Sequence, residues 1–133
     1  MKEFDELIRV VEELRDKENG CPWDLKQTHE SLIPNFIEEL YESVEAIENK
    51  DYKHLSEELG DLMMHIIMQV QIAKEDNKFQ MEEVLEQISQ KLIRRHPHIF
   101  GDGHATDAEG VKMNWERIKQ EEKKHSRTSA IDG

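Results

Sequence analysis

Residues 36–70 read FIEELYESVEAIENKDYKHLSEELGDLMMHIIMQV, and their periodicity decides the fold. Phe36, Ile37, Leu40, Tyr41, Val44 and Ile47 recur three or four residues apart, which is one face of an α-helix. After a short break at Lys50-Asp51, Leu55, Leu59, Leu62, Met63, Ile66, Ile67 and Val70 give a second, wider apolar face. A connection that short leaves consecutive helices antiparallel.

The flanking sequence continues the pattern. Residues 2–17 carry Phe4, Leu7, Ile8, Val11 and Leu14 in helical register. Asn19-Gly20 is expected to end that helix, with Gly20 in the left-handed conformation glycine tolerates. Cys21-Pro22-Trp23-Asp24 reads as a short connection. The next helix is expected from near Thr28 or Ser31 to about Asn49, with Pro34 admissible in its first turn. The long helix should run from Asp51 or His54 to about Lys74, closed by Asp76-Asn77-Lys78. A fourth spans residues 81–95, with Val84, Leu85, Ile88, Leu92 and Ile93 expected inward. His96-Pro97 ends it, because a residue before proline avoids helical geometry. A loop through Phe100-Gly101-Asp102-Gly103 follows. A last helix, residues 107–124, has only Val111, Met113, Trp115 and Ile118 as apolar anchors. The expectation is an all-α bundle of about four to five helices, residues 1–125 forming one domain and 126–133 a flexible tail. Wide apolar faces on so thin a scaffold point to some burial between subunits.

Composition agrees with this class and excludes others. The chain has 133 residues, with 18 Lys and Arg against 30 Asp and Glu, a net charge of −12. No basic surface for nucleic acid or for an anionic membrane is expected from that balance. Six glycines and three prolines are too few for an all-β fold. The single cysteine, Cys21, excludes an internal disulfide and a cysteine-based zinc site. Residues 1–11 hold acids where a secretory leader would hold its apolar core, and residues 59–73 are interrupted by Gly60, Asp61, His65, Gln69 and Gln71. The cytoplasm is the expected compartment.

Two acidic groups stand out, Glu38-Glu39-Leu40-Tyr41-Glu42 and Glu57-Glu58-Leu59-Gly60-Asp61. Glu39 and Glu42 are three apart, as are Glu58 and Asp61, so each helix can present two carboxylates on one face. On facing helices the pairs could converge, and converging carboxylates must take up protons, separate or bind a cation. All-oxygen ligation favours Mg²⁺ or Mn²⁺. The competing reading is the solvated face of an acid-rich chain. Gly60 would admit a close helix or a ligand. Lys91, Arg94, Arg95, His96 and His98 form a basic cluster, which either counters a bound anion or compensates a helix dipole. Lys91 and Arg95, four apart, share a face; Arg94 need not. His96, His98 and His104 are an incomplete zinc set. His65 reads as a structural histidine, and Trp23 and Trp115 as core or base-stacking residues. Glu122-Lys123-Lys124-His125 is the one Glu-x-x-His, too few for a di-iron bundle.

Gly20-Cys21-Pro22-Trp23-Asp24, Gln27-Thr28-His29, Glu38-Glu39-Leu40-Tyr41-Glu42, Glu58-Leu59-Gly60-Asp61 and Arg94-Arg95-His96-Pro97-His98 occur in that order. In this the chain resembles the MazG-type nucleoside triphosphate pyrophosphohydrolases of the all-α NTP pyrophosphatase superfamily, whose signature is Glu-Glu-x-x-Glu, a gap, then Glu-x-x-Asp. The resemblance implies a helical bundle completed by dimerisation, a homodimer with a tetramer as the alternative. It implies Mg²⁺-dependent hydrolysis of an NTP or dNTP to monophosphate and pyrophosphate, with Mn²⁺ as a substitute ion. Glu39, Glu42, Glu58 and Asp61 match the metal ligands. Glu38 and Glu39 are the expected catalytic acids, Glu38 helping to activate water. Lys91 and Arg95 match triphosphate contacts, Trp115 an aromatic near the nucleotide, and residues 35–39 and 54–57, with Asn35, His54 and Glu57, match nucleotide-contacting segments. Some members carry two such modules or a second catalytic domain; one module is present here. The alternatives are a nucleotide-binding regulatory module without turnover and a helical interaction module whose acids only solvate it.

Overall fold

The computed structural model describes residues 1–101 and 107–132, with side chains through residue 125. Gly103 and His104, and the side chains of the expected tail 126–133, lie outside the described residues. Among these there are seven helices and no strand: α1 (Lys2–Leu14), α2 (Pro22–Leu25), α3 (Ile33–Glu48), α4 (Tyr52–Glu75), α5 (Met81–Arg95), α6 (Pro97–Phe100) and α7 (Ala108–Asp132). The all-α expectation holds. The five long helices are those read from periodicity, while α2 and α6 are single turns where connections were expected. The backbone of α7 is helical through Asp132, past the expected end near Lys124. None of these helices is long and apolar enough to cross a membrane. The chain divides into two compact units, Met1–Met81 and Glu82–Gly133.

In the first unit α4 packs against both α1 and α3. Its core is Val11, Leu32, Ile67, Met68 and Ile72, with Phe4, Leu7, Ile8, Met64 and Met81 packed around it. The Asp51 carboxylate accepts from the His54 backbone N–H at 3.1 Å and caps α4, satisfying a donor the helix leaves open. α3 ends with Lys50 left-handed, φ 55°, as Asp51 N–H reaches back to Ala46 O at 3.0 Å. Asn77, φ 57°, closes α4 the same way, with Lys78 N–H on Ala73 O at 2.9 Å. Both are Schellman-type closures built without glycine.

α1 stops at Leu14, short of the expected Lys17, because Arg15 turns inward. Its guanidinium makes two 2.8 Å bonds to the Glu75 carboxylate, and Nη1 donates to Asp24 O at 2.5 Å and Gln27 O at 3.1 Å. One side chain thus ties the end of α4 to the connection through α2. Gly20 is required for a different reason than expected. No glycine among the described residues has positive φ. A Cβ at Gly20 would instead collide with the backbone oxygens of Leu14 and Asp16.

The inward face of α3 also differs from its apolar stripe. The buried residues are Ser43 and Ala46, while Ile37, Leu40, Tyr41, Val44 and Ile47 are between 39% and 69% exposed. Small residues allow α3 and α4 to approach, and the bulky stripe faces outward. In the second unit Leu85, Ile88, Leu92 and Ile93 of α5, expected inward, are between 41% and 49% exposed.

Candidate active site

The face of α3 that meets α4 carries Phe36, Glu39, Ser43 and Ala46, spaced three and four apart. Facing it, α4 carries Glu58, Asp61 and His65. Glu39, Glu58 and Asp61 each offer one carboxylate oxygen, all within 4.8 Å of one another. Glu42 joins them through its interactions with Glu58 and Glu39. Three of the four predicted acids therefore converge, with Glu42 interacting with two of them.

Electrostatics record the crowding. Burial raises the Glu39 carboxyl above the ordinary carboxylate value; Glu58 lowers it by hydrogen bonding, and the charges of Glu42 and Asp61 raise it again. The Glu42 carboxyl is raised, first by the hydrogen bond it shares with Glu58, then by desolvation and the charges of Glu58 and Glu38. Without a cation such a group holds protons between its carboxylates. His54 Nε2 lies 3.1 Å from Glu58 Oε1 and donates to it, fixing the orientation of that carboxylate. Glu39 Oε2 and Glu58 Oε2 are buried with no hydrogen-bond partner. Two orphaned carboxylate oxygens in an all-oxygen donor set fit a hard divalent cation such as Mg²⁺ or Mn²⁺.

The other predicted residues take varied places. Glu38 is exposed and not among the three converging acids, although its charge reaches Glu42. Asn35, in the first turn of α3, and Glu57 are exposed. A Cβ at Gly60 would meet nothing within 4 Å, so this glycine leaves open space and not a close helix contact. His65 is buried beside Phe36, ring centroids 6.0 Å apart, and burial lowers its pKa against the pull of Asp61. Its Nδ1 is buried without a hydrogen-bond partner. His29 is locked to α4 by Gln69, whose Oε1 is 2.5 Å from Nδ1 and whose Nε2 donates to His29 O at 3.2 Å.

In the second unit the basic cluster is organised by Glu122, which the sequence reading weighed only as part of a Glu-x-x-His. Glu122 accepts from Arg94 Nε at 2.6 Å and from Arg95 Nη2 at 2.8 Å. The two arginines, Arg95 first, pull its carboxyl down to about 2. The Arg95 guanidinium stands 5.9 Å from the Trp115 ring centroid and Lys119 Nζ 4.8 Å from it. Lys91 is exposed on α5. His96 donates from Nδ1 to Leu92 O at 2.6 Å, terminating α5. Trp115, Lys119 and Glu122 at i, i+4 and i+7 of α7 were the available signal for this arrangement.

Residues 27–100 match the MazG nucleotide pyrophosphohydrolase domain. The chain belongs to that family. The matched span contains all four MazG-type acids and both Lys91 and Arg95. Among its relatives, the chain is 41% identical over 133 residues to the nucleoside triphosphate pyrophosphohydrolase of Escherichia coli, covering 99% of this chain and 51% of that protein. It is 46% identical to the nucleoside triphosphate pyrophosphohydrolase/pyrophosphatase MazG of Thermotoga maritima, covering 96% and 48%. It is 45% identical to an uncharacterised Bacillus subtilis protein, covering 98% and 26%. The chain thus spans about half or less of these relatives. A crystal structure of a mazG-related protein from Thermotoga maritima superposes with a TM-score of 0.73 at 26% identity, covering 87% of this chain and 98% of that one.

Proposed function

We propose that this MazG-family chain is a nucleoside triphosphate pyrophosphohydrolase that depends on Mg²⁺, cleaving NTPs or dNTPs between the α and β phosphates to monophosphate and pyrophosphate. The observation that carries the reading is the convergence of Glu39, Glu58 and Asp61, with buried oxygens of Glu39 and Glu58 left without partners and Glu42 interacting with both residues. Glu39, Glu58 and Asp61 would hold the cation, with Glu42 beside them, and His54 keeps Glu58 oriented. A divalent cation bound there supplies charge neutralisation for phosphate oxygens and a lowered pKa for water. Glu38, exposed next to Glu39, would accept the proton of the attacking water at a carboxylate oxygen. Within the second unit, Lys91 and Arg95 offer positive charge suited to the anionic end of a nucleotide.

The proposed setting is control of nucleotide pools in the cytoplasm, as a homodimer. The half-exposed apolar faces of α3 and α4, including Ile37, Tyr41, Ile47, Leu59 and Met63, support self-association.

The test is incubation with a panel of NTPs and dNTPs, in Mg²⁺ and in EDTA, with pyrophosphate and orthophosphate assayed separately. Mg²⁺-dependent pyrophosphate and monophosphate are expected, and both should vanish in Asp61→Asn. Orthophosphate alone would mean a different bond is cut. Mg²⁺-dependent nucleotide binding without turnover would move the chain to a regulatory role.

A further inference from the structure

Among the described residues two arginines are largely buried, and they are used differently. Arg15 directs Nε and Nη2 to Glu75 and Nη1 to two backbone carbonyls, so its donors are spent on the fold. Arg95, with its side chain 16% exposed, donates from Nη2 to Glu122, while its Nε is buried with no acceptor. A guanidinium with an unmatched buried donor is an incomplete arrangement, which an incoming anion would complete.

Consecutive residues of a helix point about 100° apart, so Arg94 and Arg95 cannot converge through helix geometry alone. Glu122 brings them together by giving one oxygen to each. Trp115 lies one helical face along α7 from Glu122 and meets the Arg95 guanidinium, while Lys119, between them, approaches the same ring. Arg95 is thus held by Glu122 at Nη2 and by the indole at 5.9 Å. Arg94, Arg95 and Lys119 against Glu122 leave two positive charges in excess, in a chain of net charge −12. A long arginine side chain loses much rotamer freedom when it pairs with phosphate, and a fixed carboxylate partner spends that entropy in advance.

We propose that Glu122 is a positioning residue, which together with Trp115 holds Arg95 in the orientation that receives the polyphosphate of the substrate. This rests on the reading of Arg95 as a triphosphate contact. It assigns Glu122 a part in substrate handling though it carries the wrong charge to touch phosphate.

The test is a double-mutant cycle on the full chain, comparing Glu122→Gln, Arg95→Ala and the pair. The readouts are kcat and KM for the preferred nucleotide and binding of Mg²⁺-pyrophosphate by calorimetry. Glu122→Gln should lower kcat/KM and pyrophosphate affinity about tenfold, the scale of a charged hydrogen bond. In the Arg95→Ala background the same change should add little, because it acts through Arg95. Glu122→Asp, which keeps the charge, should recover part of the loss. Tighter pyrophosphate binding in Glu122→Gln would overturn the proposal, since Glu122 would then be a competing anion. A full additional loss in the double mutant would also overturn it, in favour of a general structural role. If Arg95→Ala is damaging and Glu122→Gln harmless, only the role of Glu122 fails. If Arg95→Ala itself is harmless, the triphosphate contact fails with it.

Discussion

At the scale of single residues, the site is a set of acids kept close together against their repulsion. Burial raises the Glu39 pKa and the charges of Glu42 and Asp61 add to it, while Glu42 is raised first by its hydrogen bond with Glu58. Removing one charge should therefore relieve the fold while disabling the site. Asp61→Asn is expected to reduce pyrophosphate release at least about a hundredfold and to leave the metal-free chain as stable as before or more so, by up to about 1 kcal/mol. Activity assays and urea melts of the same preparation check both halves; a stability loss with activity retained would reverse the assignment. Arg15 is the contrasting case. Its bidentate pair with Glu75 is largely buried, and Arg15→Met strands that carboxylate and frees two backbone carbonyls. Destabilisation of about 3 kcal/mol is expected in urea unfolding. The four acids were legible because i, i+3 spacing on consecutive helices is local information. Arg15–Glu75 and Arg95–Glu122 were not, since their partners lie 60 and 27 residues apart and no local rule joins them.

At the scale of elements, periodicity located every long helix, and the breakers Lys50-Asp51 and Asp76-Asn77-Lys78 fell where left-handed or capping residues close the helices. What periodicity could not show is which face of a helix the rest of its own chain covers. In α3 the answer is the face of Phe36, Glu39, Ser43 and Ala46, and the rest of the apolar stripe is left exposed in the single chain. The reason is steric: two helices that must bring carboxylate oxygens within 4.8 Å of each other need small residues between them, and the bulky stripe would hold them apart. The α3 closure gives a prediction of its own. Lys50 sits at φ 55°, where a Cβ is unfavourable and glycine is not. Lys50→Gly should stabilise the chain by about 1 kcal/mol, read as a higher urea midpoint at unchanged m-value.

At the scale of the whole molecule, two properties remain: a large exposed apolar surface and an excess of negative charge. The first predicts self-association. Sedimentation should give a dimer, and Ile47→Lys, at a residue 56% exposed in the single chain, should shift it toward monomer without loss of helicity by circular dichroism. The second sets how stability depends on pH. Glu39 and Glu42 have folded pKa values above the ordinary carboxylate value, so the folded state binds their protons more tightly than the unfolded chain does. That contribution is present at low pH and lost as pH rises through the raised values. Glu75 and Glu122 act oppositely, because their arginine partners hold them down, Glu122 to about 2. Their contribution is present above the ordinary carboxylate range and lost as pH falls through it toward about 2. The metal-free chain should therefore be most stable in mildly acid solution, near about pH 5, and weaker at pH 8. A divalent cation must displace the protons that Glu39 and Glu42 retain, so its binding strengthens with pH. At ten times its Kd, Mg²⁺ should add about 1.4 kcal/mol of stability. The resulting rise in Tm should be larger at pH 8 than at pH 5 and absent in Asp61→Asn. Thermal melts at the two pH values, with Mg²⁺ and with EDTA, measure this directly. An equal rise at both, or one that survives in Asp61→Asn, would mean that the cation binds elsewhere and that the four acids are a solvated cluster.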